Sequence, residues 1–320
     1  MNANAPVQCY CVGILVADHL CTPIDHLPRA GELVLAQQLP LEIGGCAANA
    51  AIGMARLGLN VGVVGQVGED PFGQFIVQQL QRHGVHTRQI RFVPEATSGT
   101  LIINVQGEDR RFIHAIGANG TLRAEVLDFP ELEQVPVLFL GGYRLMPQLV
   151  AQELVPRLGR LKEKGVRVVL DVVIPDAQDH WPEVAPLLPL VDVFLPNQDE
   201  AQNLSGQQDP VAQARWFQQH GAATVVITCG HQGAVVYSPE RCVRLGTFPV
   251  PYVGGTGSGD AFTAGYVYGM LQGKDAVECA VLGSAMGASC VRGVGATETL
   301  FDRQELEQFV REHPLEIEPV

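Results

Sequence analysis

Positive charge is scarce in this chain: 21 Lys and Arg stand against 34 Asp and Glu, a formal net charge of -13 over 320 residues. Such a field repels a polyanion, so nucleic acid is not an expected partner. A small phosphorylated ligand stays possible, because backbone N–H groups and a helix N-terminus hold anions locally. No apolar stretch reaches the roughly 18 residues a membrane span needs, and no basic segment precedes the first apolar run. The chain is therefore expected in the cytoplasm, away from membranes. Its eight cysteines contain no C-x-x-C pair, which removes the zinc and thioredoxin patterns and leaves them as small buried residues. Sequons at Asn119 and Asn203 carry no weight without a secretory signal. A charged fraction of 17% beside 47% hydrophobic residues also excludes a disordered or coiled-coil chain.

What the chain does have is a rhythm of strands and helices. The apolar, β-branched run over residues 7–16 predicts a buried strand, with Asp18 just past its end. Residues 46–57 carry Ile52, Met54 and Leu57 at helical spacing with Gly58 as C-cap, so Gly44 and Gly45 stand where a loop enters a helix. A strand over 61–67, a helix over 72–83, and a hairpin of 100–105 with 110–115 turning at Gly107 follow. The order then becomes regular: strand 137–140, helix 148–164, strands 167–171 and 192–195, helices 198–204 and 211–220, strand 224–228, and closing helices 258–271 and 276–291. Nearly all-apolar strands alternating with helices predict a doubly wound α/β fold, a mostly parallel sheet covered by helices on both faces. Residues 1–320 are expected to form one such domain. The strand-like pieces within 16–43 and 97–116 fit no βα unit and predict a small β appendage.

The strongest local signal is the run Gly254-Gly255-Thr256-Gly257-Ser258-Gly259-Asp260, which leads directly into a helix. Four glycines let backbone N–H groups crowd around an anion, and the helix adds its positive end. Asp260 alone also fits an ordinary first-turn carboxylate, but a mere cap does not require so open a backbone. No lysine follows, so this is not a P-loop.

The run resembles the second signature of the ribokinase-like (PfkB) carbohydrate kinases, Asp-Thr-x-Gly-Ala-Gly-Asp. The first signature is similar to Gly44-Gly45-Cys46-Ala47-Ala48-Asn49-Ala50 through Leu57-Gly58. Further similar pieces fall in the family's order: Asp18, Gly117-Ala118-Asn119, Asn197-Gln198-Asp199-Glu200, and Ile227-Thr228-Cys229-Gly230 with Gly233. The resemblance implies a ribokinase-like kinase that moves the γ-phosphoryl of ATP, with Mg²⁺, to a hydroxyl of a sugar. Asp260 would be the base, and the N–H groups of Gly257, Ser258 and Gly259 the anion hole. Asp18, Gly44, Gly45 and Asn49 would bind the acceptor. Thr228, Gly230, Gly233 and Ser284 would line the nucleotide, while Asn197 and Glu200 would order Mg²⁺ partly through water. Asn197 and Glu200 also fit an ordinary helix start with an Asn N-cap. The appendage would be a lid that excludes water, with edge strands able to pair lids across a homodimer.

Departures from the pattern matter too. Gly254 and Gly255 replace the usual Asp-Thr, which puts potassium activation in doubt, and Cys46 stands where ribokinases tend to carry lysine. Asp171-Val172-Val173 lacks the Asn of fructokinase-like members. Tyr143 and Trp181 are candidates to border the acceptor, although large aromatics in such folds more often serve packing. The acceptor is expected to be a sugar, with a nucleoside as the alternative. A non-catalytic sensor on the same scaffold has no need of Asp260. A nicotinamide dehydrogenase is disfavoured by the G-x-x-G-x-x-G spacing of Gly62, Gly65 and Gly68, and His83 with His86 does not make a metalloprotease motif.

Overall fold

The computed structural model describes residues 6–108 and 110–320; residues 1–5 of the expected domain and residue 109 of the expected hairpin loop lie outside the described residues. The chain opens with strands β1 (Cys9–Gly13) and β2 (Val16–Ile24), where residues 7–16 had predicted one strand. The break has a cause: the Asn119 amide accepts from the Leu15 N–H at 3.1 Å and donates to the Leu15 carbonyl at 3.0 Å, taking that residue out of the sheet ladder. Ile14 and Leu15 stay buried through the bend, so no polar residue marks it in the sequence.

Strand β3 (Leu41–Gly44) leads into α1 (Cys46–Arg56), whose small residues allow a close approach to the sheet. Then come β4 (Val61–Gly68), α2 (Pro71–Arg82), β5 (His86–Val93), β6 (Gly99–Val105) and β7 (Arg111–Ala115). The regular half follows with β8 (Val137–Tyr143), α3 (Ala151–Glu163), β9 (Arg167–Val172), the short α4 (Trp181–Val184), β10 (Val193–Phe194), α5 (Gln198–Ser205), α6 (Pro210–Gln219) and β11 (Thr224–Thr228). It closes with β12 (Ala234–Tyr237), β13 (Cys242–Leu245), α7 (Ser258–Leu271), α8 (Ala276–Cys290), α9 (Arg303–Glu312) and β14 (Ile317–Pro319).

Among the described residues, ten strands form the main sheet in the order β14-β13-β12-β11-β10-β9-β8-β1-β4-β5. It is parallel from β11 to β5 and antiparallel from β11 to β14. Two apolar layers cover it: one joins α1, α7 and α8 to the sheet, the other α3, α5 and α6. α7 and α8 are buried nearly all round and lie so close that a Cβ at Gly265 would meet the Leu282 carbonyl at 2.5 Å. The strands at the margins, β5, β12, β13 and β14, and the helix α9 were not expected from sequence. β5 shows why: Ile90 is its single buried residue, so it carries no apolar alternation.

A second sheet of four strands has the order β3-β2-β6-β7 and comes from the two segments that fitted no βα unit. Asp18 pairs in register with Glu42 and Thr100, and Thr100 with His114. Directly opposed residues share a face, so these four form a polar row across the small sheet. His19, Leu101 and Ile113 form the next row on the other face, with Leu101 40% and Ile113 63% exposed.

Candidate active site

Parallel α/β sheets present ligand sites at the carboxyl ends of their strands, and the polar residues of this chain collect there. Asp171 is the last residue but one of β9, Thr228 ends β11, and Asn197 follows β10 and bridges to Thr228. α1 and α7 pack side by side and bring Asn49 and Asp260, 211 residues apart, into a hydrogen bond: Asn49 Nδ2 donates to Asp260 Oδ2 at 2.9 Å. Asn49 Oδ1 is buried without a partner although the residue is only 4% exposed. An amide oxygen left so costs roughly 1–3 kcal/mol unless a ligand meets it.

The N-terminus of α7 is built to stay open. Gly257 is its N-cap at φ 77, a left-handed conformation that favours glycine, and no side chain caps the helix. A Cβ on Gly259 would meet nothing within 4 Å, so the space before that helix is free. The Ser258 N–H donates to the Gly255 carbonyl at 3.2 Å. α1 likewise starts from a glycine, Gly45 at φ 95, without a side-chain cap. Gly44 is required by a close approach: its Cβ would lie 1.9 Å from Asp18 Oδ2. Asp18, Gly44, Gly45, Asn49, Gly257, Ser258, Gly259 and Asp260 thus belong to one neighbourhood.

The charges there strain against each other. Burial raises the Asp260 carboxyl, while the Asn49 and Cys46 hydrogen bonds pull it down. Asp171 is pushed well up by burial and by Glu200 and Asp260. Glu200 is raised to about 7 by burial, with Asp199 and Asp260 adding to it. Asp18 is raised to about 6, first by burial, against the lowering Thr100 hydrogen bond. Among the described residues, no Lys or Arg forms an ion pair with Asp171, Glu200 or Asp260, so the site is short of positive charge.

Asn197 and Glu200 form a capping box: Asn197 Oδ1 accepts from the Glu200 N–H and Glu200 Oε2 from the Asn197 N–H, both at 2.9 Å. The helix-start account of the pair therefore holds, and the second Glu200 oxygen stays available. Gly230 at φ 55 and Gly233 at φ 87 shape the turn after β11; a Cβ on Gly233 would lie 1.9 Å from the Leu245 carbonyl, so that glycine serves the turn itself. Ser284 is half-buried in α8. Tyr143 is buried and donates to the Glu183 carbonyl at 3.1 Å, and Trp181 packs on Trp216 with ring centroids 4.4 Å apart. Both aromatics serve packing.

Sequence reasoning missed Asp171, Thr100, His114 and Arg110. An Asp at a strand end reads as a turn residue, and the Asp18–Thr100–His114 row depends on strand register. Arg110, in the turn before β7, brings its guanidinium to the glycine loop: a Cβ on Gly255 would lie 2.7 Å from its Nη1, while one on Gly254 would meet the Gly293 carbonyl at 3.1 Å. A cavity of about 360 Å³ lies between the small sheet and the glycine loop, lined by Asn104, Arg110, Tyr252, Gly254 and Thr256 among others. Another of about 330 Å³, beside Asp192 and Lys274, lies at the amino ends of the strands and shares no residue with the site.

Residues 8–302 match the family model described as pfkB family carbohydrate kinase. The chain is 30% identical over 307 residues to a ribokinase of Haemophilus influenzae, covering 93% of this chain and 97% of the relative. The fold is similar to that of Arabidopsis thaliana ribokinase complexed with ribose and ATP (TM-score 0.82, 24% identity, 96% of this chain and 99% of the other). It is also similar to a putative ribokinase II from E. coli in complex with ATP and Mg²⁺ (TM-score 0.81, 23% identity, 96% and 100%).

Proposed function

The chain belongs to the pfkB family of carbohydrate kinases, and from that premise we propose that it transfers the γ-phosphoryl of ATP to a sugar hydroxyl activated by Asp260. The observation that carries this is the Asn49–Asp260 hydrogen bond of 2.9 Å at the uncapped N-terminus of α7. It joins the two signatures in one place. Asp18 and Asn49 hold neighbouring hydroxyls of the acceptor beside the Gly44-Gly45 backbone, and Asn49 also orients the base. The Asp260 carboxylate takes the proton of the attacking hydroxyl. The new bond forms from that oxygen to the γ-phosphorus as the bond to the β–γ bridging oxygen breaks, and ADP leaves with that electron pair. N–H groups of Gly257, Ser258 and Gly259, that of Ser258 shared with the Gly255 carbonyl, stabilise the transferring oxygens, where preorganised donors are worth several kcal/mol.

Mg²⁺ fits the donor set: hard carboxylate oxygens of unrelieved charge, with Glu200 and Asn197 as holders through water, as such an ion keeps much of its hydration. When bound it neutralises phosphate charge. Thr228, Gly230 and Ser284 line the nucleotide, with Gly233 by way of the turn that carries Gly230. Gly254 supplies no carboxylate, and potassium is not expected to activate. The 16–43 and 97–116 segments act as the lid of a single domain, their polar row turned to the acceptor. Leu101, Ile113 and Leu33, the last 84% exposed, give that lid an apolar outer surface suited to a homodimer; a monomer by light scattering at micromolar concentration would refute it. Use of ATP goes with a cytoplasmic location, and no helix among the described residues is long and apolar enough to cross a membrane.

The test is ADP release from Mg-ATP over a panel of pentoses, hexoses and nucleosides, with and without potassium. Acceptor-dependent turnover on a sugar supports the proposal. A panel answered by nucleosides alone would reassign the acceptor, and no acceptor-dependent ADP at all would overturn the kinase mechanism.

A further inference from the structure

Cys46, Asp171 and Asp260 enter the site from α1, β9 and α7, and one ligand atom of each lies within 4.8 Å of the other two. Phosphoryl transfer uses Asp260; the thiol and Asp171 have no step in it. The protein holds both carboxylates in place: the Gly142 N–H donates to Asp171 Oδ2 at 3.0 Å and Asn49 Nδ2 to Asp260 Oδ2 at 2.9 Å. The Cys46 thiol lies close enough to both acids to pull their carboxyls down against the burial that raises them. Asn49, 4% exposed, turns its amide to Asp260, and its unpartnered Oδ1 is open to a cation as it is to an acceptor hydroxyl.

We propose that Cys46, Asp171 and Asp260, with Asn49 Oδ1 as a fourth donor, form a chelating site for a soft divalent cation of the zinc or cadmium type, which switches the kinase off. A thiolate beside carboxylates selects such ions over Mg²⁺, which prefers an all-oxygen octahedron. Zinc bonds of about 2.3 Å to sulfur and about 2.1 Å to oxygen put the donors about 3.5 Å apart; the three ligand atoms lie within 4.8 Å of one another, so side-chain rotation, chiefly of Cys46, completes the shell. Binding displaces the thiol proton to solvent and involves no redox change, so affinity rises with pH. The cation takes the oxygens of Asp260 and the place of the acceptor hydroxyl, making inhibition competitive with the sugar.

This rests on Asp260 as the base, but the site itself is testable without turnover. Cadmium is titrated into the full chain without nucleotide or acceptor, following cadmium–thiolate absorption in the ultraviolet and heat of binding. Wild type should show one tight site, with the band lost in Cys46→Ser and Cys46→Ala. Asp171→Asn should keep the thiol yet weaken cadmium by about tenfold or more, as loss of a ligand does. Melting curves check that each variant is folded. Zinc should inhibit wild-type turnover, with relief by a chelator or excess acceptor. Unchanged titration in Cys46→Ser or in Asp171→Asn overturns the proposal. If Asp260 proves not to be the base, the cadmium band still reports the site.

Discussion

The helix N-termini of this molecule differ in what meets their first N–H groups. α2, α5, α6, α8 and α9 each begin with an Asp or Asn whose side chain accepts from the first turn: Asp70, Asn197, Asp209, Asp275 and Asp302. α3 and α4 have no N-cap side chain, yet the Ala151 N–H donates to Glu183 and the Trp181 N–H to Asp179. α1 and α7, which converge on Asp260, begin with Gly45 and Gly257 and have no side-chain cap. A cap contributes typically ~1 kcal/mol, so the two helices that meet at Asp260 forgo stability that the capped helices take. Open N–H groups are what a transferring phosphate needs, and a side-chain cap would compete for them.

Asp260→Asn breaks the comparison most severely if it is wrong. The base is lost while the helix start keeps its shape, so kcat should fall by ~10²–10⁴-fold with acceptor binding retained by calorimetry; near-normal turnover would remove Asp260 from the chemistry. Gly259→Ala sharpens the point. Its methyl meets no protein atom within 4 Å, and Ala improves a helix by up to ~1 kcal/mol. Stability should hold or rise while kcat/KM drops by up to ~100-fold, because the methyl fills the space in which the phosphoryl oxygens approach and a misplacement of about 1 Å costs that much. Full activity would mean that the open start of α7 does not receive the phosphoryl group.

A third probe uses pH. Asp18, raised to about 6 from 3.8 mainly by burial, binds its proton more tightly folded than unfolded. Its contribution to stability is therefore whole below pH ~4 and is lost as pH rises through about 6. At ~1.4 kcal/mol per unit the loss is at most about 3 kcal/mol. Without ligand, Asp18→Asn should gain on wild type in melting temperature as pH climbs from 4 to 7, and a constant difference would refute the shift. The smallest effect is the control: Asp302→Ala, in the capping box of α9, should cost ~1 kcal/mol in denaturant unfolding and leave kcat alone.

The glycine loop was legible because its chemistry lies in consecutive residues, and the α/β layering because buried parallel strands carry continuous apolar runs. Asn197 and Glu200 were legible only as a spacing that serves a cap and a metal equally, and the cap proved real. Asp171 was illegible as a site residue because its neighbours in space, Cys46 and Asp260, lie 125 and 89 positions away. Arg110 and Gly255 belong to one contact, yet 145 positions separate them. The bend at Leu15 left no mark because its partner, Asn119, supplies the polar groups from elsewhere.

Gly44 ends a strand of the small sheet and Gly45 begins α1. In the proposed acceptor site, a sugar between Asp18 on one side and Asn49 on the other straddles that joint. The chain crosses between the small sheet and the rest at residues 14–15, 45, 94–98 and 116, so any swing of that sheet bends all four crossings together and changes the span between the two grips, which makes gripping the sugar and setting the angle of the cover one mechanical event.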